Sequence, residues 1–141
     1  MRLWHKDLIE VLPREQLVSQ WRELSSIAGA IQKNDTPNHI LVNFVLDYDY
    51  NHFISYAYYI RQEMTHRGYR TMDSVWNKIV SLKPNWELLH LEDVYPEKMN
   101  NTYLEICSWN LYEKWTCGGF SDNDMKKIEE IYKKENEKCF G

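Results

Sequence analysis

Residues 12–33, LPREQLVSQWRELSSIAGAIQK, constrain the fold more than any other stretch. Leu17, Trp21, Leu24, Ala28 and Ile31 recur at three- and four-residue spacing, which places one apolar stripe along a helix. Pro13 suits the first helical turn, where its missing N–H is not needed. Glu15, Ser19, Arg22, Glu23 and Ser26 fall on the other face, so a carboxylate stands beside an arginine midway along the helix. Gly29 costs roughly 1 kcal/mol in a helix interior relative to alanine. Its expected use is the close approach of another backbone. A chain that must bury this stripe needs partner helices, and the rest of the sequence supplies them.

Downstream, Thr36 and Pro37 read as a cap and first turn for a short helix over residues 39–46. A long helix follows over residues 50–67, with Asp49 as cap and Gly68 as terminator. Thr71 or Asp73 opens a shorter helix that Pro84 stops. Residues 85–101 are the least periodic. Helices are expected over 103–115, ended by Gly118-Gly119, and over 122–137, started by Ser121. The last is charged nearly all round, with Met125, Ile128 and Tyr132 as a thin apolar stripe. With only 5 Gly and 4 Pro in 141 residues, the expectation is an all-α fold. It is a compact single-domain bundle around the helix over residues 13–33.

Charge divides the chain. Residues 1–83 hold 10 basic and 9 acidic side chains, residues 84–141 hold 7 and 12. The net charge of -4 opposes a generic nucleic-acid binder, but Arg2, Lys6, Arg14, Arg22 and Lys33 leave room for a local basic surface. The three cysteines have no CxxC spacing, and residues 1–12 lack the apolar run of a signal peptide. The expectation is a cytoplasmic protein with reduced thiols, without a membrane partner. No Gly-rich phosphate loop, GxSxG elbow or HExxH motif is present. His5, His52 and Glu23 lack metal-ligand spacing, so neither metal nor cofactor is expected.

Residues 12–33 resemble the central helix of the pyrimidine-dimer DNA glycosylase family, the phage endonuclease V type. The likeness rests on Leu17, Trp21, Arg22-Glu23-Leu24, Gly29-Ala30 and Lys33. Met1-Arg2-Leu3 looks like the family's N-terminal segment, and Asn51-His52-Phe53 like the start of its next long helix. Residues 103–115 with Gly118-Gly119 are similar to its cellular branch. Residues 1–83 are thus the family-like core, and residues 84–141 an acidic helical C-terminal part.

The resemblance implies a base-excision enzyme acting on double-stranded DNA with damaged pyrimidines or abasic sites. In that scheme an α-amine attacks C1′ and forms a Schiff base, the glycosidic bond breaks, and β-elimination cuts the strand. An α-amine has an ordinary pKa of about 7.7–8.0, so a useful fraction is neutral near pH 7. Arg2 is too large for ordinary removal of the initiator, which makes Met1 the expected nucleophile. Glu23 matches the assisting acid. Arg22 would hold a phosphate beside the lesion, Arg2, His5 and Lys33 would track the backbone, and His52 would lie close by. The expected state is a monomer. Ser26 and Gln16 stand where the phage-type enzyme carries basic residues. The alternative reading is therefore a non-catalytic nucleic-acid- or protein-binding module of the same fold.

Overall fold

A computed structural model describes residues 1–33 and 42–140, with side chains through residue 135. The cap at Thr36-Pro37 and the first part of the short helix expected over 39–46 lie outside the described residues. Among the described residues the architecture is all-α. Five α-helices run Arg14–Gln32 (α1), Tyr50–His66 (α2), Asp73–Val80 (α3), Asn101–Thr116 (α4) and Asp122–Phe140 (α5). Three 3-10 turns, Lys6–Val11, Asn43–Asp47 and Leu91–Asp93, connect or precede them. No helix is long and apolar enough to cross a membrane among the described residues.

The helix ends follow from side-chain chemistry. Asp49 caps α2 by accepting from the Asn51 N–H at 2.8 Å, and Asn100 caps α4 by accepting from the Tyr103 N–H at 2.9 Å. Ser121 accepts from the Asp124 N–H at 3.1 Å at the start of α5. The C-terminal ends of α2 and α4 are alike. Gly68 and Gly118 both sit at φ 81°, where a side chain would strain the backbone. At α2, the Gly68 N–H bonds to the Thr65 carbonyl and the Tyr69 N–H to that of Met64. At α4, the Gly118 N–H bonds to the Trp115 carbonyl and the Gly119 N–H to that of Lys114. Both pairs satisfy carbonyls that a helix end otherwise leaves open.

One apolar cluster runs through these elements from Leu3 to Ile128. α1 packs on α2 and α3, α4 packs on α5, and the Lys6–Val11 turn lies against α2 and α5. In α1 the inward stripe is Leu17, Gln20, Trp21, Leu24, Ile27 and Ala28. Ile31, expected in the core, is only partly buried.

The lead-in departs most from expectation. Trp4, Leu8, Ile9 and Leu12 are buried as anticipated, but His5 and Lys6 are buried as well. The Lys6 ammonium donates to the Glu92 carbonyl at 2.8 Å and the Val94 carbonyl at 2.7 Å. His5 Nε2 donates to the Met99 carbonyl at 2.8 Å, while Nδ1 accepts from the Asp7 N–H at 3.1 Å. These polar groups go inside because the irregular segment 92–99 offers carbonyls with no helical partner. At the other end of the lead-in, Arg67 of α2 donates to the carbonyls of Leu12 at 2.7 Å and Glu10 at 3.0 Å.

Burial lowers the His5 pKa below its ordinary 6.5, with the nearby Asp7 opposing the shift. The unfolded chain then binds the proton first, so this contribution to stability is full above pH 6.5 and is lost as pH falls. Burial depresses the His52 pKa too. We expect the urea midpoint of His5→Gln to fall less between pH 7.5 and 5.5 than that of the wild type, with the His52 share remaining.

Candidate active site

The site is assembled by a polar side chain on the apolar stripe of α1. Gln20 is fully buried, and all its hydrogen-bonding capacity is used. Its Oε1 accepts from the Trp4 N–H at 2.8 Å. Its Nε2 donates to the Arg2 carbonyl at 2.9 Å and to Glu23 Oε2 at 3.1 Å. The Tyr56 hydroxyl of α2 shares its hydrogen between the Trp4 carbonyl, 2.6 Å away, and Gln20 Oε1, 2.9 Å away. From α4, the Tyr103 hydroxyl donates to the Leu3 carbonyl. Three consecutive residues of the lead-in are thus tied to α1, α2 and α4, and the same Gln20 amide touches the Glu23 carboxylate.

Glu23 is half-buried, one turn along from Gln20. Burial raises its pKa above the ordinary 4.5, while the positive charges of the N-terminal amine and of Lys114 pull it partly back. The amine therefore lies near enough to act on Glu23. Among the described residues, however, no ion pair of 4.0 Å or less joins them. Met1 itself is exposed. Lys114 reaches this place from the last turn of α4, the turn closed by Gly118 and Gly119. A Cβ on Gly119 would stand 2.9 Å from the Lys114 carbonyl oxygen, so the chain turns tightly there.

The other residues expected at the site fall into three groups. Arg2 is half-buried, and its guanidinium lies 5.7 Å from the Trp4 ring centroid. Arg22 and Lys33 are exposed on α1, and neither makes an ion pair among the described residues. His5 and His52 lie elsewhere. The His5 ring is spent on Met99 and Asp7, so its nitrogens face protein rather than solvent. His52 Nδ1 accepts from the Tyr95 N–H at 3.0 Å, and its ring stacks on Tyr95 and tilts against Tyr48. Those contacts belong to the start of α2, not to Glu23. With Glu23 they form no metal-ligating group among the described residues.

Sequence reasoning missed Gln20, Tyr56, Tyr103 and Lys114. Gln20 was legible in principle, since it falls between Leu17 and Leu24 on the stripe that should be apolar. Nothing local marks Lys114, which is far from Glu23 in sequence.

A family model described as pyrimidine dimer DNA glycosylase matches residues 1–77, more than half of the chain. The chain belongs to the pyrimidine dimer DNA glycosylase family. Membership places it among DNA-repair proteins of the glycosylase kind, with damaged DNA as the family's substrate. No curated protein and no solved structure matches the chain. The matched stretch holds the lead-in, Gln20, Arg22, Glu23 and Tyr56, whereas Tyr103 and Lys114 come from α4 beyond it. The part of the chain outside the family match thus supplies an anchor for the lead-in, through Tyr103, and a positive charge felt by the matched carboxylate, through Lys114.

Two substitutions test this geometry. Below the ordinary carboxyl pKa, Glu23 is protonated in both states and has no effect on stability. As pH rises, the unfolded chain ionises first, and a destabilisation builds until pH passes the raised folded value. Glu23→Gln should therefore melt above the wild type at pH 7, the gap closing towards pH 4. Gln20→Leu strands the Trp4 N–H and the Arg2 carbonyl, and should destabilise the fold by roughly 2–4 kcal/mol in urea titrations.

Proposed function

We propose that this protein is a DNA glycosylase and abasic-site lyase that works through a Schiff base on the Met1 amine, with Glu23 as the proton-handling acid. The observation that carries the reading is electrostatic: the N-terminal charge acts on a half-buried carboxylate without closing an ion pair on it. Gln20 supports it by holding the Arg2 carbonyl and the Glu23 carboxylate through one amide nitrogen. Pre-organisation of this sort removes the entropy of bringing two loose groups together.

The neutral amine attacks C1′ of the damaged nucleotide. A C–N bond forms as the glycosidic bond breaks, and the departing base takes the bonding electrons and a proton. The sugar ring then opens: the C1′–O4′ bond breaks, O4′ takes a proton that the attacking nitrogen has given up, and an iminium is left at C1′. The iminium draws electrons from C2′, so loss of a C2′ proton expels the 3′ phosphate and cuts the strand. Glu23 has two tasks in this scheme. Its negative charge stabilises the positive sugar, and burial, by raising its pKa above the ordinary carboxyl value, eases its taking up of a proton. Arg22, exposed and without a carboxylate partner among the described residues, is placed to take a phosphate. Arg2, with its guanidinium 5.7 Å from the Trp4 ring centroid, would track the DNA backbone next to the amine. The substrate in this reading is a damaged pyrimidine or an abasic site in duplex DNA.

Borohydride reduction tests the scheme directly. The wild type mixed with duplex DNA bearing a cyclobutane dimer or an abasic site should yield a covalent adduct on denaturing gels. Glu23→Gln should lower adduct formation by about 10²–10⁴-fold. Residues added before Met1 should abolish it. An adduct that persists with a blocked terminus would move the nucleophile to a lysine. No adduct with either DNA would leave a non-catalytic member of the family.

A further inference from the structure

Gly29 does not admit a backbone, as its place in the helix suggested. A Cβ there would stand 3.0 Å from Lys78 Nζ and 3.4 Å from its Cε. The missing side chain lets a lysine of α3 lie across α1. Lys78 Nζ also reaches the Ser25 hydroxyl at 3.5 Å. Lys78 is only half-buried, and among the described residues no carboxylate pairs with it. Elsewhere the protein pairs its part-buried cations readily, as with Arg61 and Asp73 at 2.5 Å, Arg67 and Glu63 at 3.0 Å, and Lys83 and Asp49 at 2.9 Å. Lys78 is held over the helix with no carboxylate partner among the described residues.

Its position along α1 gives that charge a context. Arg22, Ser25, Gly29 and Lys33 succeed one another at three- and four-residue intervals, so they share one face. Lys78 enters this face between Arg22 and Lys33, and converts two separated cations into a line of three. From Arg22 to Lys33 the helix rises about 16 Å. That matches about four to five nucleotides of one strand at 3.4 Å each. Glu23 is the neighbour of the cation at one end of the line.

We infer that Lys78, seated in the notch at Gly29 and steadied by Ser25, is a binding residue for a DNA backbone phosphate between those reached by Arg22 and Lys33. The inference rests on DNA being the substrate, as the function proposed above requires. It adds a contact one residue beyond the stretch that the family model matches. A point cation suits this role, since backbone phosphates position a duplex without selecting its sequence. The notch matters as much as the charge, because a side chain at residue 29 would take the space the ammonium now fills.

Salt dependence reads this contact separately from chemistry. Binding of duplex DNA carrying a reduced abasic analogue is followed by fluorescence anisotropy across a series of KCl concentrations. Lys78→Gln should make the slope of log affinity against log salt shallower by about 0.9, the value of one lost phosphate contact. Lys78→Arg keeps a cation there and should restore the wild-type slope. Gly29→Ala keeps the lysine but moves its ammonium, and should weaken binding at fixed salt. A Lys78→Gln slope equal to that of the wild type overturns the inference. If the wild type then still forms its borohydride adduct, only the Lys78 contact has failed. If the wild type binds this DNA without salt dependence and forms no adduct, the inference falls together with the function it rests on.

Discussion

A single buried amide holds this structure's chemistry together. The Gln20 side chain receives the Trp4 N–H, holds the Arg2 carbonyl and reaches the Glu23 carboxylate, with Tyr56 closing the group from α2. A glutamine in an apolar core is unfavourable unless every polar atom finds a partner. Here the partners are backbone groups of an irregular segment that would otherwise be buried without any. The two problems solve each other, and the solution fixes the start of the chain beside an acid on a rigid helix.

The same logic runs along the whole lead-in. Its polar backbone and side chains find partners in places that secondary structure leaves open: the carbonyls of Glu92, Val94 and Met99, the hydroxyl of Tyr103, the guanidinium of Arg67. These contacts join residues 1–12 to both the family-matched half and the acidic C-terminal half. α4 and α5 therefore do more than add a solvated charged surface. Tyr103 of α4 anchors Leu3, the Lys114 charge of α4 acts on Glu23, and α5 packs on α4 and on the Lys6–Val11 turn.

What was legible in the sequence was whatever is local. Helices α1, α2, α4 and α5 announce themselves by periodicity, and Asp49, Gly68, Gly118 and Ser121 act where their chemistry says they should. The glutamate on the central helix could be singled out because it stands beside an arginine midway along that helix and carries a family likeness. The remainder of the site depends on tertiary partners. Lys6 and His5 look like surface residues until residues 92–99, which have no period of their own, fold over them. Gly29 signals that something approaches closely, but not that the visitor is an ammonium from α3. His52 shares a likely-looking motif with the family, yet its nitrogen is committed to Tyr95, whose backbone sits at φ 46° in an aromatic cluster.

The lead-in is fastened at both ends, by Gln20, Tyr56 and Tyr103 near its first residues and by Arg67 near its last. A strut so mounted holds the backbone of Arg2, Leu3 and Trp4 fast. Any change in where that backbone lies must come from α1, α2 and α4 sliding as bodies, which their packing resists. On the function proposed above, the breadth of lesions accepted is then set by how the helices are stacked rather than by a pliant loop. Widening that tolerance would mean resizing residues deep in the core, well away from the surface that meets DNA.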